Sequence, residues 1–314
     1  MIRQPKLVCP DDRGELESAA GSGWVCRSCG TRYPEEDGVI RFLPQYDPFY
    51  EGTHLNQIRF APKGEWPWQL AALWLVSSGY LWTVRRHVPK GSVVVELGCG
   101  GGVRYFGKRY RMVGCDVSVA SLSKLRSVYA VRLHADAMIG IPIADSSVDA
   151  VVSSYFWEHI PPQSKSRILG ECRRILKPGG KLVFLFDVET QNPLISRFRK
   201  KDPALYEREF LELDGHVGYE TPAKNVEQFE RAGFEVVECN GLEKTFLQSP
   251  STYQKLASYG GAGGRLLARV HGLITGRLFY PYTLLVRATD ALFGPWLPAA
   301  WARVNLVVCS SKDA

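Results

Sequence analysis

Val93-Val94-Val95-Glu96-Leu97-Gly98-Cys99-Gly100-Gly101-Gly102 is the stretch that decides the fold. A β-branched apolar run ends in an acid and enters a turn of alternating glycines. Such a run is a strand covered on both faces, as in a parallel sheet. The glycines permit positive φ and close approach of backbone to a ligand. A helix N-terminus after such a turn faces the carboxyl edge of the sheet, where open α/β folds bind nucleotides. The spacing is not the G-x-G-x-x-G of dinucleotide-binding loops.

Downstream, Met112-Val113-Gly114-Cys115-Asp116 is a second apolar run closing in an acid, about 20 residues after the first motif, where an acid accepts hydrogen bonds from ribose hydroxyls. Further strand candidates are Val131–Ala135, Ala150–Ser154, Lys181–Phe186, Phe234–Cys239 and Val304–Cys309. Helical patterns at Ser164–Leu176 and Pro222–Ala232 alternate with them, which predicts βαβ units. Pro178-Gly179-Gly180 marks a turn. The chain divides into a Cys-bearing module (1–45), a Trp-rich helical lid or linker (46–90), the sheet core (91–243), a helical insertion (244–302) and a last strand with its tail (303–314).

The glycine motif resembles the first motif of class I S-adenosylmethionine (SAM)-dependent methyltransferases, E/D-x-G-x-G-x-G, through Glu96, Gly98, Gly100 and Gly102. His134-Ala135-Asp136-Ala137 is similar to the segment where that family places an acid near the adenine amine. Ile141–Val152, Tyr155-Phe156-Trp157-Glu158-His159-Ile160 and Ile168–Lys181 resemble the runs around strands four and five of the methyltransferase-11-like, ubiquinone–menaquinone-biosynthesis-like core. The resemblance covers residues 92–240. It implies an α/β, doubly wound, seven-stranded Rossmann-like sheet of order 3-2-1-4-5-7-6 with the last strand antiparallel. It also implies SAM held by Glu96, Gly98, Cys99, Gly100, Gly102, Asp116, Val117, Asp136, Ala137 and Tyr155.

The sulfonium of SAM already activates the methyl group, so the protein mainly aligns acceptor, carbon and sulfur. A base is needed only when the acceptor loses a proton. His159 and His216 are the candidates, each with a structural hydrogen-bonding role as its alternative. Asp187, after strand five, is a third. The segment around His216 is similar to the family's "H-x-R-x-F-T" run, with Gly218 in place of the basic residue.

Eight cysteines show no disulfide framework, which predicts a reducing compartment. Cys9, Cys26 and Cys29, with Asp12 where a fourth Cys is expected, resemble the small zinc-ribbon-like module ahead of many bacterial methyltransferases. The set either holds zinc or keeps the ribbon fold without tight metal binding.

Net charge is +7, from 39 basic and 32 acidic residues, which permits an anionic partner without demanding one. No secretory signal and no apolar run of about 18 residues is visible, so the expected location is cytoplasmic, or peripheral on the inner membrane face. Trp66, Trp68, Trp74 and Trp82 precede the core, either packing on the sheet or lining a greasy acceptor pocket. Residues 245–300 carry Lys255, Arg265, Arg269, Arg277 and Arg287 among apolar residues at helical spacing, the pattern of a cap or of an interfacial helix. The expected reaction is methylation of oxygen or carbon on a small or lipid-like acceptor. The alternatives are an RNA methyltransferase and a non-catalytic SAM-binding scaffold. No aromatic–basic RNA-binding signature is present.

Overall fold

The computed structural model describes residues 5–19, 23–45, 47–53, 79–125, 128–275 and 278–311. Trp66, Trp68, Trp74 and Arg277 lie outside the described residues.

The N-terminal module is a three-stranded antiparallel meander of β1 (Leu16–Ser18), β2 (Trp24–Cys26) and β3 (Arg32–Tyr33). The main sheet comprises β4 (Glu35–Glu36), β5 (Val39–Arg41), β6 (Val93–Leu97), β7 (Arg111–Asp116), β8 (Val131–His134), β9 (Val148–Ser154), β10 (Leu176–Asp187), β11 (Phe234–Leu242) and β12 (Val304–Ser311). Its order is β11-β12-β10-β9-β6-β7-β8-β5-β4. The seven strands from β6 onward take the expected order 3-2-1-4-5-7-6. Strand β12 is antiparallel to both neighbours.

Two strands extend the expected seven-stranded sheet to nine. β5 pairs in parallel with β8 (Ile40 beside Leu133), and β4 turns back on β5. Both belong to the segment read as part of the Cys module. At two and three residues, they are too short to show strand periodicity.

The central strands are enclosed on both faces. Val93, Val95 and Leu97 face one apolar cluster with Val151 and Phe184, while Val94 faces another with Met112, Val152 and Val183. Burying each such side chain contributes about 1.5–3 kcal/mol. The covering helices include α1 (Tyr80–His87), α2 (Arg104–Arg109), α3 (Val119–Lys124) and α4 (Pro162–Ile175). The later ones are α5 (Pro193–Lys201), α6 (Pro203–Glu207), α7 (Pro222–Arg231), α8 (Pro250–Ala257), α9 (Gly261–Ile274) and α10 (Phe279–Phe293). Helices α8–α10 lie in the insertion between β11 and β12. Among the described residues, no helix is long and apolar enough to cross a membrane.

Candidate functional site

Strand β6 delivers the glycine loop to the carboxyl edge of the sheet. Gly98, Gly100 and Gly102 have φ of +59°, +49° and +64°, the left-handed region that glycine adopts cheaply. A Cβ at Gly98 would stand 2.6 Å from the Phe156 ring, and one at Gly102 2.2 Å from Leu125. At Gly100 and Gly101 it would meet nothing within 4 Å. The loop is thus braced at both ends and open in its middle, the shape that lets a ligand approach backbone.

Asp116, at the end of β7, clamps that open middle. Its Oδ2 accepts from Gly100 N at 2.7 Å and its Oδ1 from Ser118 N at 2.8 Å. Burial raises its pKa, while these amides pull it down. Asp136 follows β8 and accepts from Met138 N at 2.7 Å. Val117 is half-buried beside Asp116, and Ala137 is buried beside Asp136. Tyr155, beyond β9, has a positive φ of 54° and is 44% exposed.

Glu96 and Cys99 sit differently from the others. Glu96 is 2% exposed and lies beneath the loop, accepting from the Tyr129 hydroxyl, which itself accepts from Val103 N. Burial raises Glu96 to about 8. Cys99 turns its thiol into the core next to Gly114. Both support the loop's shape, and only the backbone of Cys99 lies on the loop itself.

A second cluster of polar side chains forms where the turn Trp157–His159, the end of β10 and the loop 213–221 meet. Glu158 is 1% exposed; its Oε1 accepts from Asp187 N at 3.3 Å and its Oε2 has no partner among the described residues. Burial first, and then the Asp187 charge, pushes Glu158 well above the ordinary glutamate range. His159 Nδ1 lies 3.1 Å from Gly215 O, and the His159 and His216 rings stand 5.1 Å apart. His216 is buried, its Nδ1 has no partner among the described residues, and its ring stacks on Tyr219. Burial, with Lys255 nearby, lowers His216 to about 4, so it is neutral at pH 7.

Arg303 at the start of β12 closes this cluster. It donates to Asp187 Oδ2 at 2.9 Å and to Glu243 Oε2 at 2.6 Å, all three side chains being buried. Burial alone would raise Glu243, but Arg303 holds it below its ordinary value. Lys255 of α8 pairs with Asp214, which lies 3.8 Å from His216 Nε2.

In the N-terminal module, Cys9, Asp12, Cys26 and Cys29 converge, one donor atom from each lying within 4.8 Å of the others. Arg13, directly after Asp12, pairs with Glu171, whose other oxygen accepts from Ile141 N.

Residues 95–184 match the family described as the methyltransferase domain. This stretch is a class I SAM-dependent methyltransferase domain. The chain is 33% identical over 193 residues to a Macaca fascicularis protein named tRNA (carboxymethyluridine(34)-5-O)-methyltransferase ALKBH8, covering 59% of this chain and 24% of that one. It is 35% identical over 100 residues to a Pectobacterium atrosepticum malonyl-[acyl-carrier protein] O-methyltransferase, covering 30% of this chain and 38% of that one. Among solved structures, a Haemonchus contortus phosphoethanolamine N-methyltransferase 2 in complex with SAM aligns with TM-score 0.47 at 15% identity, covering 78% of this chain and 56% of that one. The chain spans only 24% and 16% of the macaque and mouse tRNA-named relatives.

Beyond the motifs, the methyltransferase domain recruits side chains that sequence reasoning missed. Glu51, in the short turn Phe49–Thr53, accepts from Val119 N and Ala120 N at the start of α3, beside Asp116. Tyr50 of the same turn stands edge-on to His159 at 6.2 Å, and the Phe49 ring lies close to Gly215. The turn therefore bridges the start of α3 and the His159–Gly215 cluster. No motif flags Glu51, because its partners are backbone amides about 70 residues away. Glu158 was legible only as part of a family-like segment, and Arg303 only as the entry to a strand.

Proposed function

We propose that the protein transfers the methyl group of SAM to an oxygen or carbon of a small or lipid-like acceptor. Gly98–Gly102, Asp116, Val117, Asp136, Ala137 and Tyr155 line the cofactor side. In the transfer, the methyl carbon–sulfur bond breaks as the acceptor–carbon bond forms, and sulfur keeps the electron pair, leaving S-adenosylhomocysteine. A hydroxyl acceptor is oriented by His159 and by the neutral imidazole of His216 before it gives up its proton. Burial of this centre strengthens each polar contact inside it.

The observation that carries the acceptor class is the cap. Helix α8 reaches the acceptor side through Lys255 and Asp214. The insertion that follows exposes Leu266, Leu273, Leu285, Leu292, Phe293 and Trp296, the last 80% exposed. Exposed apolar residues beside Arg265 and Arg269 suit an apolar acceptor or a lipid surface with anionic headgroups. Peripheral membrane contact through residues 244–300 belongs to this reading.

The module's Cys9, Asp12, Cys26 and Cys29 fit zinc. Cys9 Sγ and Cys29 Sγ are 3.8 Å apart, and Cys26 Sγ is 3.3 Å from Asp12 Oδ1. Thiolates at about 2.3 Å from a tetrahedral zinc stand about 3.8 Å from one another. Arg13 ties this turn to Glu171 and the segment after Asp136, so the metal would steady that edge of the cofactor side.

Relatives named as tRNA methyltransferases favour RNA as a second reading. Incubation with methyl-labelled SAM and fractionated cell extract separates the two. Label in organic-soluble material supports the lipid-like acceptor, and label in nuclease-sensitive material overturns it in favour of RNA. Absence of label above an Asp116→Ala control returns the protein to the non-catalytic SAM binders.

A further inference from the structure

The geometry points to a divalent-cation site at the acceptor end of the cleft, formed by Glu158, His159 and His216. One donor atom from each lies within 4.8 Å of the other two, Glu158 and His216 being buried and His159 half-buried. Among the described residues, Glu158 Oε2, on a side chain 1% exposed, has no hydrogen-bond partner, and neither does His216 Nδ1. Buried polar atoms in folded proteins are otherwise nearly all paired, so two orphans on neighbouring side chains of this cluster indicate a missing ligand.

The surroundings match those of metal ligands. A ligating imidazole usually gives its second ring nitrogen to a carbonyl or carboxylate. His159 does so at Gly215 O, 3.1 Å from Nδ1. Asp214 stands 3.8 Å from His216 Nε2, and Asp214 is in turn held by Lys255. Two imidazoles and one carboxylate select a first-row divalent transition cation such as zinc, manganese or iron over calcium. Bonds of about 2.1 Å would draw the donor atoms to about 3–3.5 Å from each other, a small closure of the three side chains.

Three protein ligands leave a coordination position open. The inference rests on the reading above for what fills that position, an oxygen of the acceptor, and specifies how the imidazoles hold it. With the cation seated, they orient the acceptor oxygen through the metal. A hydroxyl so bound becomes more acidic and gives its proton to water before the carbon–oxygen bond forms.

Cobalt(II) titration of the full-length apoprotein, followed by absorption spectroscopy, tests the site without methyl transfer. Thiolate charge-transfer bands report the Cys9–Cys29 cluster, and the acceptor site binds cobalt without them. A Cys26→Ser/Cys29→Ser variant should retain one thiolate-free equivalent. His216→Ala should weaken that equivalent by about tenfold or more and leave the thiolate bands unchanged. Glu158→Gln, nearly isosteric, should do the same and serves if His216→Ala misfolds. A folded Cys26→Ser/Cys29→Ser variant that binds no cobalt overturns the site, as does full thiolate-free binding in Glu158→Gln. If cobalt binds as expected while no acceptor is methylated, the cation site stands and the transferase reading falls.

Discussion

Replacing Asp116 with alanine removes a side chain that joins the glycine loop to the segment after β7. Its two oxygens take Gly100 N at 2.7 Å and Ser118 N at 2.8 Å. A carboxylate offers about four lone-pair sites, so two remain for the ribose hydroxyls of SAM. Hydrogen bonds to a charged group contribute about 1.5–3 kcal/mol each, and part of that loss is recovered when water takes the place of the carboxylate. We expect SAM or S-adenosylhomocysteine binding to weaken by about 1.5–3 kcal/mol, roughly 10- to 150-fold in Kd. Asp116→Asn keeps one acceptor oxygen for Ser118 N and should fall at the lower end. Isothermal titration calorimetry with S-adenosylhomocysteine measures both variants, with circular dichroism to show that each is folded. A folded Asp116→Ala protein whose Kd stays within about twofold of wild type would refute the assignment of Asp116 to the cofactor.

Two other perturbations follow from buried charge. Burial raises Glu96 to about 8, above the roughly 4.3 of an unfolded glutamate, so the fold favours the protonated acid. Its contribution is full below about pH 4 and is lost as pH rises through 8. Thermal midpoints of wild type should therefore fall more steeply from pH 5 to 8 than those of Glu96→Gln, and parallel curves would contradict the assignment. Arg303→Met strands Asp187 and Glu243 without their shared cation, which costs about 3–5 kcal/mol and lowers the thermal midpoint by roughly 10 °C. A midpoint within about 2 °C of wild type would show that the pair is relieved some other way.

The sequence by itself determined the sheet from β6 to β12, its order through the family resemblance, and the glycine turn and acids at its carboxyl edge. These features are written locally: continuous apolar runs mark buried parallel strands, alternating glycines mark the positive-φ turn, and Asp116 and Asp136 follow the next two strands. The Cys9, Asp12, Cys26 and Cys29 grouping was legible for the same reason, since two short knuckles bring the four residues together. Only the tertiary structure decided that β4 and β5 leave the module and lengthen the sheet beside β8, because strands this short carry no period. It alone placed Glu51 on the amides of α3 and Arg303 between Asp187 and Glu243. It also gathered Glu158, His159 and His216, which come from a turn after β9 and a loop before α7. Propensity and motif act over a few residues, whereas the pairing of buried polar groups is imposed by whatever the closed fold brings together, and strand order sets those distances.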